Sequence, residues 1–167
     1  MLVKKWIIGF IFSLFLLVGC QSEEAIPDGY YSYQQSEVEQ ALSLVNFEPE
    51  VPQFVPIPVE FIISDPYTIE GTTKEALDIS FYSRDNDLLT YQVVEGSDQW
   101  PFEGEEIKLE QNVTAHYLDN DFAKTLVWQK EGLSYKLEFR SSVIGKDDPA
   151  KFITKDDLVR VAQSFQS

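Results

Sequence analysis

Hydrophobic and polar residues alternate with a period of two along most of the chain between residues 57 and 140. This alternation predicts β-strands with one buried and one solvated face, as in an antiparallel sheet. The runs predict a meander of about six strands. Their inward positions are Ile57, Val59, Phe61, Ile63, Leu77, Ile79, Phe81, Leu89, Tyr91, Val93, Ile107, Leu109, Val113, Ala115, Tyr117, Phe122, Leu126, Trp128, Leu133, Tyr135, Leu137 and Phe139. Ile107 to Tyr117 read as one longer strand. The segments Asp85–Asp87, Asp119–Asp121 and Lys130–Gly132 are typical of hairpin turns.

The period changes to that of a helix on both sides of these runs. Ser36 as N-cap and Glu39 at the third helical position match a capping box. Thr154 and Asp157 form a similar pattern before the apolar positions near the C-terminus. The predicted helices are Glu37–Val45 and Lys155–Phe165. Because the apolar face of a sheet must be covered, we predict an α+β fold. It is a curved antiparallel meander with the N- and C-terminal helices packed on its apolar face.

The N-terminus has the order of parts found in a secretory signal. Lys4 and Lys5 precede the apolar segment Trp6–Val18. That segment is shorter than the about 20 residues that span a membrane. The alternative is an uncleaved membrane helix, which the polar residues 21–24 disfavour.

The end of this segment resembles a lipobox. Leu17, Val18 and Gly19 lead directly into Cys20, the only cysteine. We expect Leu17, Val18 and Gly19 to be recognised by the signal peptidase and Cys20 to be acylated, for example with palmitate. Residues 1–19 are then a lipoprotein signal peptide. The expected location is the extracytoplasmic face of the cell membrane.

The segment that follows divides the mature chain into a tether and a domain. Residues 20–35 carry no apolar period, which predicts a lipidated N-terminus and a flexible tether. Residues 36–167 are expected to form a single globular α+β domain. Within the tether, Tyr30, Tyr31 and Tyr33 are expected either to pack against the domain, the preferred interpretation, or to bind a partner.

Charge narrows the choice of partners. The chain has 13 Lys and Arg residues and 28 Asp and Glu residues. Two basic residues leave with the signal peptide, so the formal charge changes from −15 to −17. Such a domain repels nucleic acid and anionic headgroups. We therefore expect no nucleic-acid partner and no flat docking on the membrane.

No residue pattern names a reaction. His116, the only histidine, falls on the solvated face by alternation, where an incidental role is favoured. The acidic turns lack the spaced oxygen ligands and the terminal Glu of a calcium loop. We predict no catalytic residue, no metal site and no cofactor, and we expect the protein not to be an enzyme.

Trp100 and Phe102 are the best candidates for a partner-binding site. Two large aromatic residues beside Pro101 in a loop can form a binding hot spot. The alternative, which we favour, is that they close one end of the core between sheet and helices.

Several segments together resemble one domain family of unknown function. They are Val45–Phe47, Pro52–Pro56, Leu126–Gln129, Gly132–Tyr135 and Thr154–Phe165. That family recurs in lipoproteins of Gram-positive bacteria and in the extracytoplasmic parts of anti-sigma-factor-like membrane proteins. The resemblance implies a Gram-positive cell surface and a sensory or signalling setting. A direct anti-sigma role is not expected, because no sigma-binding region precedes the apolar segment.

Three functions follow, in order of preference. The first is a non-enzymatic lipoprotein that binds an unidentified envelope protein or senses the state of the envelope. The second is a carrier-like domain that holds an apolar or lipid ligand between sheet and helices. The third is a cell-wall hydrolase, which would need paired carboxylates or a metal in a cleft.

Overall fold

The centre of the protein is an open antiparallel sheet of seven strands. The computed structural model describes residues 25–96, 100–101, 103–120, 122–142 and 152–166. The strands of this sheet are β2 (Val59–Thr68), β3 (Glu75–Ser83), β4 (Leu88–Glu95), β5 (Glu105–Lys108), β6 (Thr114–Asp119), β7 (Lys124–Lys130) and β8 (Leu133–Arg140). Their order across the sheet is β2-β3-β4-β8-β7-β6-β5, so β2 and β5 are the edges.

Two helices and a small second sheet complete the described fold. Helix α1 is Gln35–Leu42 and helix α2 is Lys155–Gln163. The second sheet pairs β1 (Val51–Pro52) with β9 (Phe165–Gln166). The architecture is therefore α+β-like and mostly antiparallel sheet, as predicted at that level.

The predicted count of six strands in the sheet is wrong, because one predicted strand is a hairpin. Residues 107–117 were expected to form a single longer strand, but β5 ends at Lys108 and β6 begins at Thr114. The N–H of Leu109 donates to the carbonyl of Val113 at 2.9 Å and closes the turn. Leu109 and Val113 belong to the same hydrophobic cluster, so the alternation continues through the turn.

One face of the sheet, called here the inner face, forms the core. Most of the predicted inward positions are confirmed there. The buried ones are Leu77, Ile79, Phe81, Leu89, Tyr91, Val93, Ala115, Tyr117, Leu126, Trp128, Tyr135, Leu137 and Phe139. Buried residues of both helices, including Val38 and Leu158, belong to the same hydrophobic cluster.

Phe61, Ile63 and Phe122 do not point into this core, contrary to prediction. The register of β2 against β3 shifts between Val59 and Phe61, so Val59 faces Ser83 whereas Phe61 faces Tyr82. The extra residue moves Phe61 and Ile63 to the opposite face, called here the outer face. Phe122 lies in the turn before β7 and is exposed.

The two helix starts differ in how well the sequence predicted them. The capping box at Thr154 is confirmed, since its side chain accepts from the N–H of Asp157 and Asp157 bonds back to the N–H of Thr154. The predicted N-cap at Ser36 is wrong. Helix α1 starts one residue before it, and Gln34 occupies the N-cap without a side-chain bond.

The described part of the predicted tether packs on the domain from Tyr30 onwards. The hydroxyl of Tyr30 donates to Asp157 Oδ1 at 2.8 Å, and that of Tyr33 donates to the carbonyl of Pro52. The ring of Tyr33 lies 5.0 Å from that of Phe81. The preferred interpretation of these two tyrosines is confirmed.

Candidate interaction surface

The structure describes only one of the residues that the sequence predicts to carry function. Leu17, Val18, Gly19 and Cys20 lie outside the described residues, and so does Phe102. Only Trp100 among the predicted site residues has a described position.

Trp100 lies over the outer face. Its ring centroid is 5.9 Å from Nζ of Lys136, a distance at which a cation and an aromatic face attract each other. Lys136 alternates with the buried residues Tyr135 and Leu137, so its side chain is on the outer face. Trp100 therefore covers the outer face of the sheet and does not close one end of the core, contrary to the interpretation favoured from the sequence.

A polar row crosses the outer face beneath Trp100. One residue from each strand is in register across the sheet: Asp65, Asp78, Gln92, Lys136, Val127, His116 and Glu106. His116 lies on this face, as predicted.

Asp78 is the most tightly bonded carboxylate of this row. Gln92 Nε2 donates to it at 2.6 Å and the Tyr67 hydroxyl at 3.3 Å. Burial nevertheless raises the pKa of Asp78, because these bonds only partly replace the lost hydration. Lys136 contributes a nearby positive charge that opposes this shift.

An exposed apolar patch lies beside the polar row, along β2. Phe61 is 50% exposed and Ile63 is 52% exposed, and Tyr67 follows on the same face. The rings of Phe61 and Tyr82 stack at 4.6 Å with an interplanar angle of 12°. We call Phe61, Ile63, Tyr67 and Tyr82 the β2 patch. Clustered exposed aromatic and aliphatic side chains of this kind mark interaction sites.

The backbone of β2 adds a second feature at the same place. The N–H of Ile69 donates to the carbonyl of Lys74, which closes the β2–β3 hairpin. Hydrogen-bonded pairs recur at every second residue of an antiparallel ladder. Because the register is continuous from Ile69 back to Phe61, the odd-numbered residues of β2 are the ones whose backbone groups bond to β3. The N–H and C=O groups of Ile62 and Ser64 therefore point to the free edge, as does the carbonyl of Pro66.

Pro66 limits this free edge. Proline has no N–H, and a proline on an edge strand is a common protection against unspecific pairing. The stretch able to accept another strand is therefore short and lies before Pro66. The β2 patch stands directly beside this stretch on the outer face.

The acidic segments do not assemble into a reactive centre in the described structure. Asn86 has a φ of 59° in the turn between β3 and β4, as the hairpin prediction required. In the turn between β6 and β7, Asn120 Oδ1 accepts from the N–H groups of Phe122 and Ala123. Among the described residues, no group of three or more His, Cys, Asp and Glu is placed to hold a metal ion.

The inner face is occupied by its own aromatic side chains. The rings of Trp128 and Tyr135 stack at 5.2 Å, and Phe165 meets both edge-on. The hydroxyl of Tyr91 donates to the carbonyl of Glu50 at 2.8 Å. Burial raises the pKa of Tyr91 well above its usual range and that of Tyr135 to about 12, so both hydroxyls stay protonated at neutral pH. These contacts favour a filled core over the predicted alternative of a ligand carrier.

Sequence reasoning missed the β2 patch. The run Phe61-Ile62-Ile63 is apolar at three consecutive positions, so it carries no signal of which face is exposed. Only the register shift at Glu60 decides that question.

Compared with protein-family models, with curated proteins and with solved structures, the chain has no significant match. The family resemblance therefore stays a prediction. Neither of the helices in the described residues has the length and apolarity for a transmembrane crossing.

Proposed function

We propose that this protein is a lipoprotein anchored through Cys20 at the extracytoplasmic face of the cell membrane. On this proposal it is not an enzyme, and it binds an extended segment of an envelope protein at the edge of β2. We also propose that both helices pack on the apolar face of the sheet. It is supported by the shared cluster of Val38, Ala41, Leu158 and Val161 with the strands.

The observation that carries the binding proposal is the coincidence of the β2 patch with a free strand edge. A peptide that adds a strand gains main-chain hydrogen bonds from the edge and side-chain contacts from the adjacent face. Ile62 and Ser64 supply the first kind of contact, and Phe61 and Ile63 supply the second. The aromatic pair of Phe61 and Tyr82 is the expected hot spot.

The charge around the edge indicates the composition of the partner. Glu60 and Asp65 flank the free stretch, and Arg84 bonds to Glu60 at 3.2 Å. The net charge of the chain is −15. We therefore expect a partner segment with basic and apolar residues, because a second acidic chain would be repelled.

The first experiment locates the partner in cells. A photoreactive phenylalanine analogue replaces Ile63 in the full-length protein, and a matched protein carries it at Leu44, which is also exposed. We expect a crosslinked envelope protein from position 63 that is missing from position 44. Equal crosslinking from both positions, or none at position 63, would refute the binding site.

A second experiment separates the backbone contribution from that of the side chains. Ser64→Pro removes one outward N–H and leaves the bonds to β3 in place, whereas Ser64→Ala keeps the N–H. We expect the crosslink to be lost in Ser64→Pro and kept in Ser64→Ala. Equal crosslinking in both variants would exclude strand addition.

The anchor is tested independently of the partner. Cys20→Ser is expected to lose the lipid-modified mass and to leave the membrane fraction. If that variant stays in the membrane at wild-type size, the lipobox interpretation is wrong.

A further inference from the structure

The chain enters the folded domain beside the first turn of α2. The hydroxyl of Tyr30 donates to Asp157, which lies in that turn. Arg160 lies 5.6 Å from the centroid of the same ring. Burial and the bond to Asp157 raise the pKa of Tyr30 to about 12, so this contact persists at neutral pH.

The first turn of α2 lies at one end of the sheet. Lys155 Nζ contacts Glu105 Oε1 at 2.9 Å, at the start of β5, and Gln163 Nε2 donates to the carbonyl of Leu109, just beyond the end of β5. Helix α2 therefore runs along β5 in the same direction. Glu105 is in register with Tyr117, near the end of β6.

We call this the proximal end of the sheet: the start of β5, the turn between β6 and β7, and the first turn of α2. Its opposite is the distal end, where Asn46 bonds to Glu75 at the start of β3.

Two of the most exposed apolar side chains of the described structure lie at the proximal end. Phe122, in the turn between β6 and β7, is 86% exposed, and Phe152, two residues before the N-cap of α2, is 78% exposed. Leu118 precedes the same turn and is also exposed. The backbone around Phe122 is held by Asn120 Oδ1, so the turn presents its ring on a fixed support.

The number of residues between Cys20 and the folded domain limits how far the proximal end can lie from the membrane. The N–H of Tyr30 donates to the carbonyl of Pro27 in a turn. Pro27 is seven residues after Cys20 in the sequence, a distance of about 25 Å at full extension. Strand β2 alone, with ten residues, is about 33 Å long. An anchor at Cys20 therefore keeps the proximal end nearer the membrane than the distal end.

Two lysines at the proximal end are each paired with an acidic residue. Lys124 pairs with Asp119 at 2.8 Å, and Lys155 pairs with Glu105. Asp156 and Asp157 in the first turn of α2 add negative charge, so apolar contact of the exposed rings, and not charge, would carry an attachment to lipid.

We propose that Phe122 and Phe152 rest in the headgroup region of the membrane that holds Cys20. The lipid surface is the occupant of this apolar end, and the contact orients the domain with its proximal end down. Aromatic side chains suit this region, because it accepts apolar rings without requiring a full crossing. The β2 patch lies towards the same end, because Ile63 shares a register row with Leu118, so this contact places the β2 edge near the membrane surface. This inference rests on the proposed anchor at Cys20.

The test uses the single cysteine of the chain. In the lipidated protein Cys20 carries the acyl group, so an introduced cysteine is the only free thiol. A nitroxide spin label is attached to Phe122→Cys, Phe152→Cys, Leu44→Cys or Thr73→Cys in the lipidated protein. Thr73 is exposed in the connection between β2 and β3, at the distal end. Each protein is placed in vesicles of phosphatidylcholine with phosphatidylglycerol, and accessibility to oxygen and to a water-soluble nickel complex is measured.

We expect the labels at 122 and 152 to favour oxygen over nickel, as in a membrane interface, and those at 44 and 73 to be fully accessible to nickel. If labels at 122 and 152 match those at 44 and 73, the orientation is refuted and the anchor stands. If the protein is not lipidated at all, both proposals fall. A Phe122→Ser, Phe152→Ser double variant should move a label at Leu118 towards the aqueous value, and an unchanged label there would also refute the inference.

Discussion

Replacing Phe165 by alanine tests whether the end of the chain is part of the core. Phe165 follows α2 and lies in the short strand β9, where it is buried. Its ring centroid is 5.3 Å from that of Tyr91, 5.2 Å from that of Trp128 and 6.1 Å from that of Tyr135. All three contacts are edge-to-face, the geometry favoured by aromatic pairs.

The cost of this substitution can be worked out from these contacts. Burial of a phenylalanine contributes about 1.5–3 kcal/mol, and aromatic pairs add about 0.5–1.5 kcal/mol each when well placed. The three rings around Phe165 belong to different elements and cannot all close the space left behind, so we expect the upper part of the usual range. The free energy of unfolding should fall by about 3–5 kcal/mol. For a domain of this size Tm should fall by roughly 10–15 °C.

The assay is urea unfolding of the Cys20→Ser protein without residues 1–19, followed by tryptophan fluorescence. Trp128 contacts Phe165 directly, so its emission should also shift to longer wavelength in the native state. Phe152→Ala is the matched control, because that ring is exposed, and its stability should change by less than about 0.5 kcal/mol. A loss below about 1 kcal/mol for Phe165→Ala would refute the packing of β9 in the core.

Three further substitutions test local features by the same unfolding assay. Gly104→Ala should lower the free energy of unfolding by at least about 1–3 kcal/mol. The φ of Gly104 is +101°, and the new Cβ would lie 2.0 Å from the carbonyl oxygen of Tyr117. Gly71 also has a positive φ, but a Cβ there would meet open space, so Gly71→Ala measures the cost of the backbone strain alone. An equal loss of stability in the two variants would exclude the clash with Tyr117. Thr154→Ala should cost about 1 kcal/mol, and no loss would show that the capping box is not formed in solution. Burial raises the pKa of Asp78, so its folded form holds the proton more tightly, and stability from this group falls as pH rises from about 4. Asp78→Asn should flatten that fall above about pH 4, and an unchanged pH profile would contradict the shift.

The sequence predicted best where a signal is local. The capping box of α2 needs only Thr154 and Asp157, three residues apart, so propensity and hydrogen bonding decide it without the rest of the fold. The turn at Asn86 is similar, since asparagine tolerates a positive φ. Helix α1 shows the limit of such signals. Its capping pattern at Ser36 is present, but the helix starts one residue earlier.

The alternation of apolar and polar residues does not determine the number of strands. Leu109 and Val113 face each other across a turn and both pack against the core, so the inward parity is the same on both sides of it. A hairpin of this kind and a continuous strand have the same hydrophobic pattern. Long-range pairing of β5 with β6, and not the pattern, separates them.

By itself the sequence determined that an antiparallel sheet with one apolar face and two amphipathic helices would form, because side chains alternate in strands and recur every 3.6 residues in helices. Tertiary structure alone decided which side of β2 meets the core. One extra residue at Glu60 reverses the faces of Phe61 and Ile63, and the strand pairing that fixes this shift involves β3, some twenty residues away. The candidate interaction surface exists because of that choice of register, which no local pattern encodes.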